Sequence, residues 1–361
     1  MFETIIGQHK VRDILLQSLM RKRVPHALLF YGPEGVGKEA LALELTRAFI
    51  CQENEFYACN NCSDCRRITQ LTHPDVYFIS PATGKMTVDE EKAIIKSIVD
   101  NPYKRVSPWA NPSISIEQIR RLKKEAALTT FENKGRVVII AEAQQMTIEA
   151  ANSLLKLLEE PPPDMYIILT SSNPAALLPT IISRCQGLRF EPLDWEDIAA
   201  ALIQRASLDE NRANLIAKIS LGSYRRALEL IDEDIENKRI KVLELLRSII
   251  KNDLDRLWSV EELVKNEDKG EIKELLNLML LWFRDALIYL DGNRNEHSIV
   301  NIDQIDVLEK FCNSFEKLDI KKIVDDIEAA IQLIDRNVYI NLIILNLFYR
   351  LKYNLRRKNY A

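Results

Sequence analysis

Hydrophobic positions in the first half of the chain follow two alternating patterns. Some segments repeat apolar residues every three or four positions, as one face of a helix does, and others are short continuous apolar runs. The short runs have the length of buried strands, and helical segments separate them. Strands that alternate with helices predict an α/β domain whose parallel sheet carries helices on both faces. The predicted strands are residues 27–32, 75–79, 137–143, 165–172 and 187–190.

Helical periodicity accounts for most of the sequence between these strands. One helix begins with a capping signal, because Ser115 is followed three residues later by Gln118. Another runs into three consecutive prolines, which cannot continue a helix. Residues 80–113 are rich in proline and polar residues, and we expect them to form a surface insertion around one helix. The predicted helices are residues 9–23, 38–50, 87–99, 115–128 and 147–163.

After Pro192 the pattern becomes purely helical. Residues 194–234 predict a small bundle of about three helices, and residues 236–361 predict a longer run of amphipathic helices. A chain of 361 residues is too long for one ordinary core. We therefore expect a nucleotide-binding-type domain, a helical lid and a C-terminal helical domain. Their predicted ranges are residues 1–192, 193–235 and 236–361.

Composition excludes several classes of protein. The chain is 47% hydrophobic and 28% charged, as in ordinary globular proteins, and its net charge is −4. A free-standing nucleic-acid binder usually carries a basic excess, which is missing here. The most apolar stretch, residues 275–290, is interrupted by Arg284 and Asp285 and reads as a buried helix. The N-terminus is charged from its start, unlike a signal peptide, so a cytoplasmic location is expected.

Residues 31–40, YGPEGVGKEA, form the first motif that carries chemistry. Gly32, Gly35 and Gly37 permit a tight turn whose backbone N–H groups converge on phosphate oxygens, and Lys38 adds a positive charge. The helix that follows adds its dipole. A G-x-x-x-x-G-K pattern between an apolar strand and a helix indicates a phosphate-binding loop. The alternative is an ordinary glycine turn before a helix.

The metal ligands that such a loop normally needs are altered. Lys38 is followed by Glu39, where this type of loop carries Ser or Thr to help hold Mg²⁺. A second ligand is usually an Asp after a later apolar strand, but the run 137–140 is followed by Ala141 and Glu142. Because hydrolysis depends on the metal to neutralise developing charge, we expect little intrinsic ATPase activity. Nucleotide binding without turnover remains open, and ATP binding is doubtful.

Four cysteines form the second motif. Cys51, Cys59, Cys62 and Cys65 lie within 15 residues in a C-x7-C-x2-C-x2-C pattern. The two short spacings let three thiolates reach one metal, and the longer loop returns a fourth. Four thiolates in tetrahedral arrangement predict a closed, structural Zn²⁺ site at residues 51–65. Buried free thiols or a disulfide pair are the alternatives.

Two further stretches bring a family resemblance. ANSLLKLLEEPP (151–162) and SSNPAALLPTIISRC (171–185) closely resemble clamp-loader subunits of the bacterial replicative polymerase, DNA polymerase III, which belong to the AAA+ class. The resemblance covers about residues 1–230, and it implies an AAA+ fold for the first domain. Within the family, the altered metal ligands resemble the delta-prime type, described as a rigid stator, rather than the gamma/tau type, which is the ATPase motor.

The resemblance also implies roles for single residues. Gly7 and Gln8 match a segment near the adenine. Ser171 and Ser172 match the region called sensor 1, and Arg225 in GSYRRAL matches a residue that reaches a nucleotide phosphate. Arg184 in the Ser-Arg-Cys triplet matches an arginine finger, which acts in trans on ATP bound by a neighbouring subunit. Outside this motif, Arg184 reads as a surface arginine in an ordinary salt bridge.

Three functional hypotheses follow. The first, implied by the resemblance, is a non-catalytic clamp-loader subunit in a hetero-pentamer with gamma/tau and delta subunits. It meets the sliding clamp and primed DNA through that complex, uses its C-terminal helices as an oligomerising collar, and has no membrane contact. The second is an active motor ATPase in which Glu39 or Glu142 compensates for the missing ligands. The third is a zinc-containing DNA-binding module, which the net charge of −4 disfavours.

Overall fold

The computed structural model of the protein divides into two compact units, Met1–Ile231 and Asp232–Ala361. None of the described helices combines the length and apolar character that crossing a membrane requires. The three predicted domains remain a prediction, and the predicted lid helices fall within the first unit. The described residues are 2, 4–54, 57–83, 88–103, 112–126, 135–232, 234–250, 253–292, 299–314, 319–336 and 338–356.

The first unit is built on a parallel sheet in which the strand order is β2-β3-β4-β1-β5. Each pair of neighbouring strands is parallel. All five predicted strands are confirmed, with ends that differ by a few residues. This sheet confirms the predicted α/β class. The strands are β1 (Ala27–Tyr31), β2 (Val76–Ile79), β3 (Arg136–Ile140), β4 (Met165–Ser171) and β5 (Gln186–Arg189).

Helices cover both faces of this sheet. Every residue of β3 is buried. Val138 and Ile140 pack in one apolar cluster with residues of the two helices 116–126 and 148–159. Since side chains alternate along a strand, Val137 and Ile139 face the other side, where the helix 38–50 contacts β3 and β4. The sheet therefore has no solvent-exposed face at its centre, which explains the continuous apolar runs in the sequence.

Two short helices of the first unit, α3 (Ser63–Thr69) and α7 (Pro179–Ile182), were not predicted, because one or two turns are too short to show a helical period. The predicted capping box of α5 is confirmed, since the backbone N–H of Ser115 donates to Gln118 Oε1 at 2.9 Å. The helices are α1 (His9–Met20), α2 (Lys38–Ile50), α3 (Ser63–Thr69), α4 (Val88–Asp100), α5 (Ile116–Ala126), α6 (Ile148–Glu159), α7 (Pro179–Ile182), α8 (Trp195–Ala206), α9 (Glu210–Ile219) and α10 (Tyr224–Leu230).

The end of α6 shows why the prediction to residue 163 was too long. The helix ends at Glu159, and Glu160 has φ −130° and ψ 69°, outside the helical region. A proline disfavours helical geometry in the residue before it, and Pro161 follows Glu160 directly. The helix therefore stops before the prolines rather than within them.

The two ends of the predicted insertion, residues 80–113, lie next to each other. Ala82 and Ser113 exchange two backbone hydrogen bonds, of 2.8 and 2.9 Å, which close its base. Its predicted helix is confirmed as α4, whereas residues 84–87 and 104–111 lie outside the described residues. One side of the described part agrees with the expected surface excursion, since Ala93, Lys96 and Asp100 are exposed. Ile94, Ile98 and Tyr103 are buried, because this part packs inward on the first unit.

The second unit is helical, as predicted. Its long helix α13 buries Leu275, Met279 and Phe283, and it contacts α11, α14 and α15. Asp285 on the same helix is also buried, and its carboxylate accepts the backbone N–H groups of Val300 and Asn301 at 3.0 and 2.8 Å. The helices are α11 (Ile235–Ile250), α12 (Asp253–Asn266), α13 (Lys269–Leu290), α14 (Ile305–Ser314), α15 (Ile320–Asp335) and α16 (Ile340–Arg356).

Candidate functional site

The G-x-x-x-x-G-K loop connects β1 to α2 at the carboxyl edge of the sheet. The backbone N–H of Gly32 donates to the carbonyl of Ser171 at 3.1 Å, which ties the start of the loop to β4. Gly32 has φ 149°, and a Cβ placed on it would lie 2.2 Å from the carbonyl oxygen of Phe190. The loop ends at Gly37, which precedes the first residue of α2. The predicted strand, loop and helix therefore occur in that order.

The ammonium group of Lys38 donates hydrogen bonds to the loop that precedes it. The side chain is buried, and Nζ donates to the carbonyl oxygen of Gly32 at 2.9 Å and to that of Pro33. Burial lowers the pKa of the Lys38 ammonium, although the nearby carboxylates of Glu39 and Glu34 favour its charged form. Two of its three N–H donors are thus directed at loop carbonyls.

The carboxylate of Glu39, at the altered metal position, also accepts a hydrogen bond within the chain. Glu39 Oε1 accepts a hydrogen bond of 2.7 Å from the hydroxyl of Thr170 on β4. Thr170 Oγ1 in turn accepts the backbone N–H of Glu142 at 3.0 Å. Glu39 therefore joins α2 to the ends of β3 and β4. Thr170 was missed in the sequence, although its position in the strand that ends in Ser171 was a usable signal.

The predicted sensor serines lie next to Thr170 but make other contacts. Ser171 is buried, and its Oγ accepts the backbone N–H of Asn173 at 3.2 Å. Ser172 Oγ accepts from Gln144 Nε2 at 3.0 Å and lines the cavity beside the loop. Of these neighbours, Thr170 is the one that reaches the loop helix.

The helix α10, which lies in the range predicted as a lid, packs directly on the loop. The backbone N–H of Tyr224 donates to the carbonyl of Gly35 at 3.0 Å. A Cβ on Gly35 would lie 2.2 Å from Ser223 Oγ, so the contact requires glycine. Arg225 lines the cavity, and its guanidinium lies 3.5 Å from Glu34 and 3.2 Å from Glu229. The structure thus brings the predicted phosphate-contacting arginine beside the loop, where it forms ion pairs.

Tyr103 from the insertion also reaches the loop. It is 5% exposed, and its Oη accepts the backbone N–H of Ile6 at 2.9 Å. The edge of the ring meets Gly37, where a Cβ would lie 2.7 Å from Tyr103 Cε1. The remaining cavity, lined by Gly37, Ala141 and Glu142 among others, measures about 50 Å³. The sequence carried no signal for this contact, since Tyr103 is 66 residues beyond Gly37 in the chain.

The four cysteines form one cluster at the end of α2 and the start of α3. Their sulfur atoms all lie within 4.8 Å of one another, and Cys59 Sγ is 3.9 Å from Cys65 Sγ. Tetrahedral zinc with Zn–S bonds of about 2.3 Å requires sulfur separations of about 3.8 Å. The cluster therefore fits one tetrahedral metal ion.

Backbone amides surround these sulfurs. The N–H groups of Cys59, Cys62 and Cys65 donate to the sulfurs of Cys51, Cys59 and Cys62 at 3.4, 3.2 and 3.4 Å. Burial opposes ionisation of the Cys62 thiol. Backbone hydrogen bonds from Cys65 and Gln52, with the neighbouring thiols, outweigh burial and lower the pKa of Cys62 to about 7. Such N–H···S contacts are those that orient thiolate ligands around a metal.

Arg184 lies on the surface between α7 and β5. Its side chain is 34% exposed, and Nη2 lies 2.6 Å from Glu159 Oε1 on α6. Nη1 donates to the carbonyl of Thr180 at 2.9 Å. Among the described residues that line the cavity beside the loop, Arg184 is absent. The structure thus separates Arg184 from the chain's own loop.

Comparison with known proteins decides the family. The sequence model of the family described as "DNA polymerase III, delta subunit" matches residues 7–194, more than half of the chain. The delta' subunit of DNA polymerase III from Bacillus subtilis is 31% identical over 292 residues, which is 80% of each chain. The chain belongs to the DNA polymerase III delta' family. The matched range includes the loop, the four cysteines and Arg184, and the resemblance inferred from the motifs is confirmed.

Three other comparisons match this chain to different extents. The delta' subunit from Pseudomonas aeruginosa is 31% identical over 237 residues, 65% of this chain and 64% of that subunit. The tau subunit from Bacillus subtilis is 27% identical over 312 residues, 80% of this chain but 50% of tau. A solved DNA polymerase III gamma-subunit-related protein from Thermotoga maritima is 17% identical, with a TM-score of 0.40 over 95% of this chain and 100% of that chain.

Proposed function

We propose that this chain is a delta'-type clamp-loader subunit that does not hydrolyse ATP itself and supplies Arg184 to ATP bound by a neighbouring subunit. The carrying observation is the position of Arg184. Its guanidinium lies on the surface and outside the cavity beside the chain's own loop. An arginine finger stabilises charge on the transferring phosphate of another subunit and is worth on the order of 10³ to 10⁵ in rate. A subunit can use such a residue without a metal site of its own.

The contacts within the loop support the absence of intrinsic turnover. Glu39 accepts a hydrogen bond from Thr170, and Ala141 offers no ligand at the second metal position. Phosphoryl transfer needs the metal to neutralise charge on the phosphates. The motor hypothesis requires Glu39 or Glu142 to supply the missing metal ligand, and one oxygen of Glu39 is already bonded to Thr170, which favours the stator over the motor.

We also assign one structural Zn²⁺ to Cys51, Cys59, Cys62 and Cys65. The sulfur separations fit a closed tetrahedral site, which has no position for a reacting water. When bound, the ion supplies a crosslink and no catalytic step. The residues between α2 and α3 have little apolar core of their own, so their stability comes mainly from the metal.

We infer the partners from the family. We place the chain in a hetero-pentamer with gamma/tau-type and delta-type subunits, and the second, helical unit serves as its collar. The sliding clamp and primed DNA are contacted mainly through the complex, in keeping with the net charge of −4. A role in DNA replication implies a cytoplasmic location.

Arg184→Ala in the reconstituted clamp loader tests this function. Hydrolysis at the one site that faces Arg184 should fall about 10³-fold or more, so total turnover loses that site's share while the complex still assembles. Arg184→Lys should be nearly as defective, because lysine lacks the planar fork. The matched control is Arg189→Ala, an exposed arginine paired with Glu191, which should leave turnover unchanged. Normal turnover by an assembled Arg184→Ala complex would refute the proposed role.

ATP turnover by the purified chain gives a second test, which distinguishes the non-catalytic subunit from the motor ATPase. We expect no Mg²⁺-dependent ATP turnover from the chain alone. Turnover that disappears in Lys38→Ala would instead establish a motor ATPase and reject the argument from Glu39 and Ala141.

A further inference from the structure

We infer that the insertion is an internal plug of the phosphate-loop pocket, in which the ring of Tyr103 takes the place of a nucleobase and keeps nucleotide out. The inference deepens the proposed non-catalytic role, but it rests on contacts within this chain and not on Arg184. It also explains why a loop with altered metal ligands retains its glycines and lysine.

The ring of Tyr103 has the surroundings that a bound base would need. At one end the backbone N–H of Ile6 donates to its oxygen at 2.9 Å. The edge-to-face contact with Tyr224 has a centroid separation of 5.1 Å, and the guanidinium of Arg205 lies 5.9 Å from the ring centroid. Edge-to-face aromatic contacts and a nearby cation stabilise an aromatic ring, whether it belongs to a side chain or to a ligand. Three separate parts of the first unit thus converge on this side chain.

The same ring blocks the loop. It touches Gly37, the residue immediately before α2, where the N–H groups of a phosphate loop gather around their ligand. The cavity that remains beside the loop is about 50 Å³. A nucleotide whose phosphates bind at Gly37 would have to displace this ring.

The described part of the insertion is held at its base and beside the pocket. The two hydrogen bonds between Ala82 and Ser113 close the base. Beside the pocket, Asn101 Oδ1 accepts the backbone N–H of Tyr103 at 3.0 Å, and Ile98 is buried against the cavity. The ring is therefore placed by its own segment as well as by the pocket.

The two cationic side chains that would bind phosphate already have partners within this chain. Lys38 donates to the carbonyl oxygens of Gly32 and Pro33, and Arg225 is paired with Glu34 and Glu229. A nucleotide would have to replace these contacts as well as displace Tyr103. The loop thus forms the surface on which the insertion and α10 pack, and this close packing requires its glycines.

The test is equilibrium binding of ATP and ADP, with Mg²⁺, to the full-length chain by calorimetry. The wild-type chain should show no binding up to about millimolar nucleotide. Tyr103→Ala should bind at least about tenfold more tightly, since stacking of a base on protein groups contributes factors of this size. Adding Lys38→Ala to Tyr103→Ala should remove the gain. Tyr339→Ala, an exposed tyrosine of the second unit, is the matched control and should resemble the wild type.

Two outcomes overturn the plug. Wild-type protein that binds ATP as tightly as Tyr103→Ala shows that the ring excludes nothing. A folded Tyr103→Ala chain, verified by circular dichroism, that still binds no nucleotide shows that the loop itself excludes it. Neither outcome tests the role of Arg184 in the assembled complex. A negative result for Arg184 likewise does not contradict the plug.

Tyr103→Phe keeps the test decisive if Tyr103→Ala fails to fold. Phe retains the ring but removes the acceptor of the Ile6 N–H. Hydrogen exchange at Ile6 should become several-fold faster, while the chain stays closed to nucleotide. Unchanged exchange at Ile6, or exchange in the wild type that slows when ATP is added, contradicts the plug.

Discussion

Replacing Tyr103 by Phe removes one oxygen atom and leaves the buried ring in place. That oxygen accepts the N–H of Ile6, which lies in a buried part of the first unit. An N–H that loses its partner without gaining water destabilises a fold by about 1–3 kcal/mol. At pH 8 we therefore expect the free energy of unfolding to fall by about 1–2 kcal/mol in Tyr103→Phe.

The same phenol makes the difference depend on pH. Burial raises the pKa of Tyr103 to about 12, against the opposing effects of the Ile6 N–H and Arg205. In the unfolded chain the pKa is about 10. Because the folded-state pKa is the higher one, the stabilisation is complete below about pH 10 and is lost as the pH rises towards 12. At pH 11 this one group removes about 1.4 kcal/mol from the wild type, and nothing from Tyr103→Phe.

Urea unfolding at pH 8, 10 and 11, followed by circular dichroism, measures this change. The gap between wild type and Tyr103→Phe should shrink by about 1.4 kcal/mol between pH 8 and pH 11. If the two units unfold in separate steps, the transition of the first unit should carry the difference. Tyr339→Phe, an exposed tyrosine, should show no gap at any pH. Equal stability at pH 8, with the same alkaline loss in both chains, would refute the buried hydrogen bond.

Three further predictions concern other parts of the molecule. Native mass spectrometry should show one Zn²⁺ per chain, lost in Cys62→Ser and kept in Cys185→Ser; zinc retained by Cys62→Ser contradicts a four-thiolate site. Gly32→Ala should destabilise the first unit by about 3 kcal/mol or more, since its Cβ would lie 2.2 Å from the Phe190 carbonyl; an unchanged melting temperature argues against that contact. Asp285→Ala leaves three buried donors without their acceptor, namely the backbone N–H groups of Val300 and Asn301 and the side-chain amide of Asn301, and should destabilise the second unit by about 2–4 kcal/mol; an unchanged free energy of unfolding would show that the carboxylate is not their acceptor.

Local pattern was enough for most of the fold. The five strands are continuous apolar runs because both faces of the sheet are covered, and a run of that kind can be read without knowledge of its neighbours. The helices α2, α5 and α13 repeat apolar residues over several turns, so their period is visible. The helices α3 and α7 were missed because seven and four residues contain too little of a period to measure.

The candidate sites also differ in how far a short stretch of sequence reveals them. The four cysteines lie within 15 residues, so their spacing alone brings them to one point. The phosphate loop is also local, since a strand, a glycine turn and a helix follow one another directly. Arg184 was found through a motif, but nothing in the sequence indicated its pairing with Glu159.

Only the tertiary structure determined what the loop contacts. Glu39 meets Thr170, 131 residues away, because β1 and β4 are neighbours in the sheet and end together. Tyr103 meets Ile6, 97 residues away, because the insertion packs inward on the first unit. Contacts of this range depend on the strand order and on the joint packing of several elements, and a short stretch of sequence records neither. The sequence by itself therefore determined that a phosphate loop exists, and the packing of distant elements decided that it is filled.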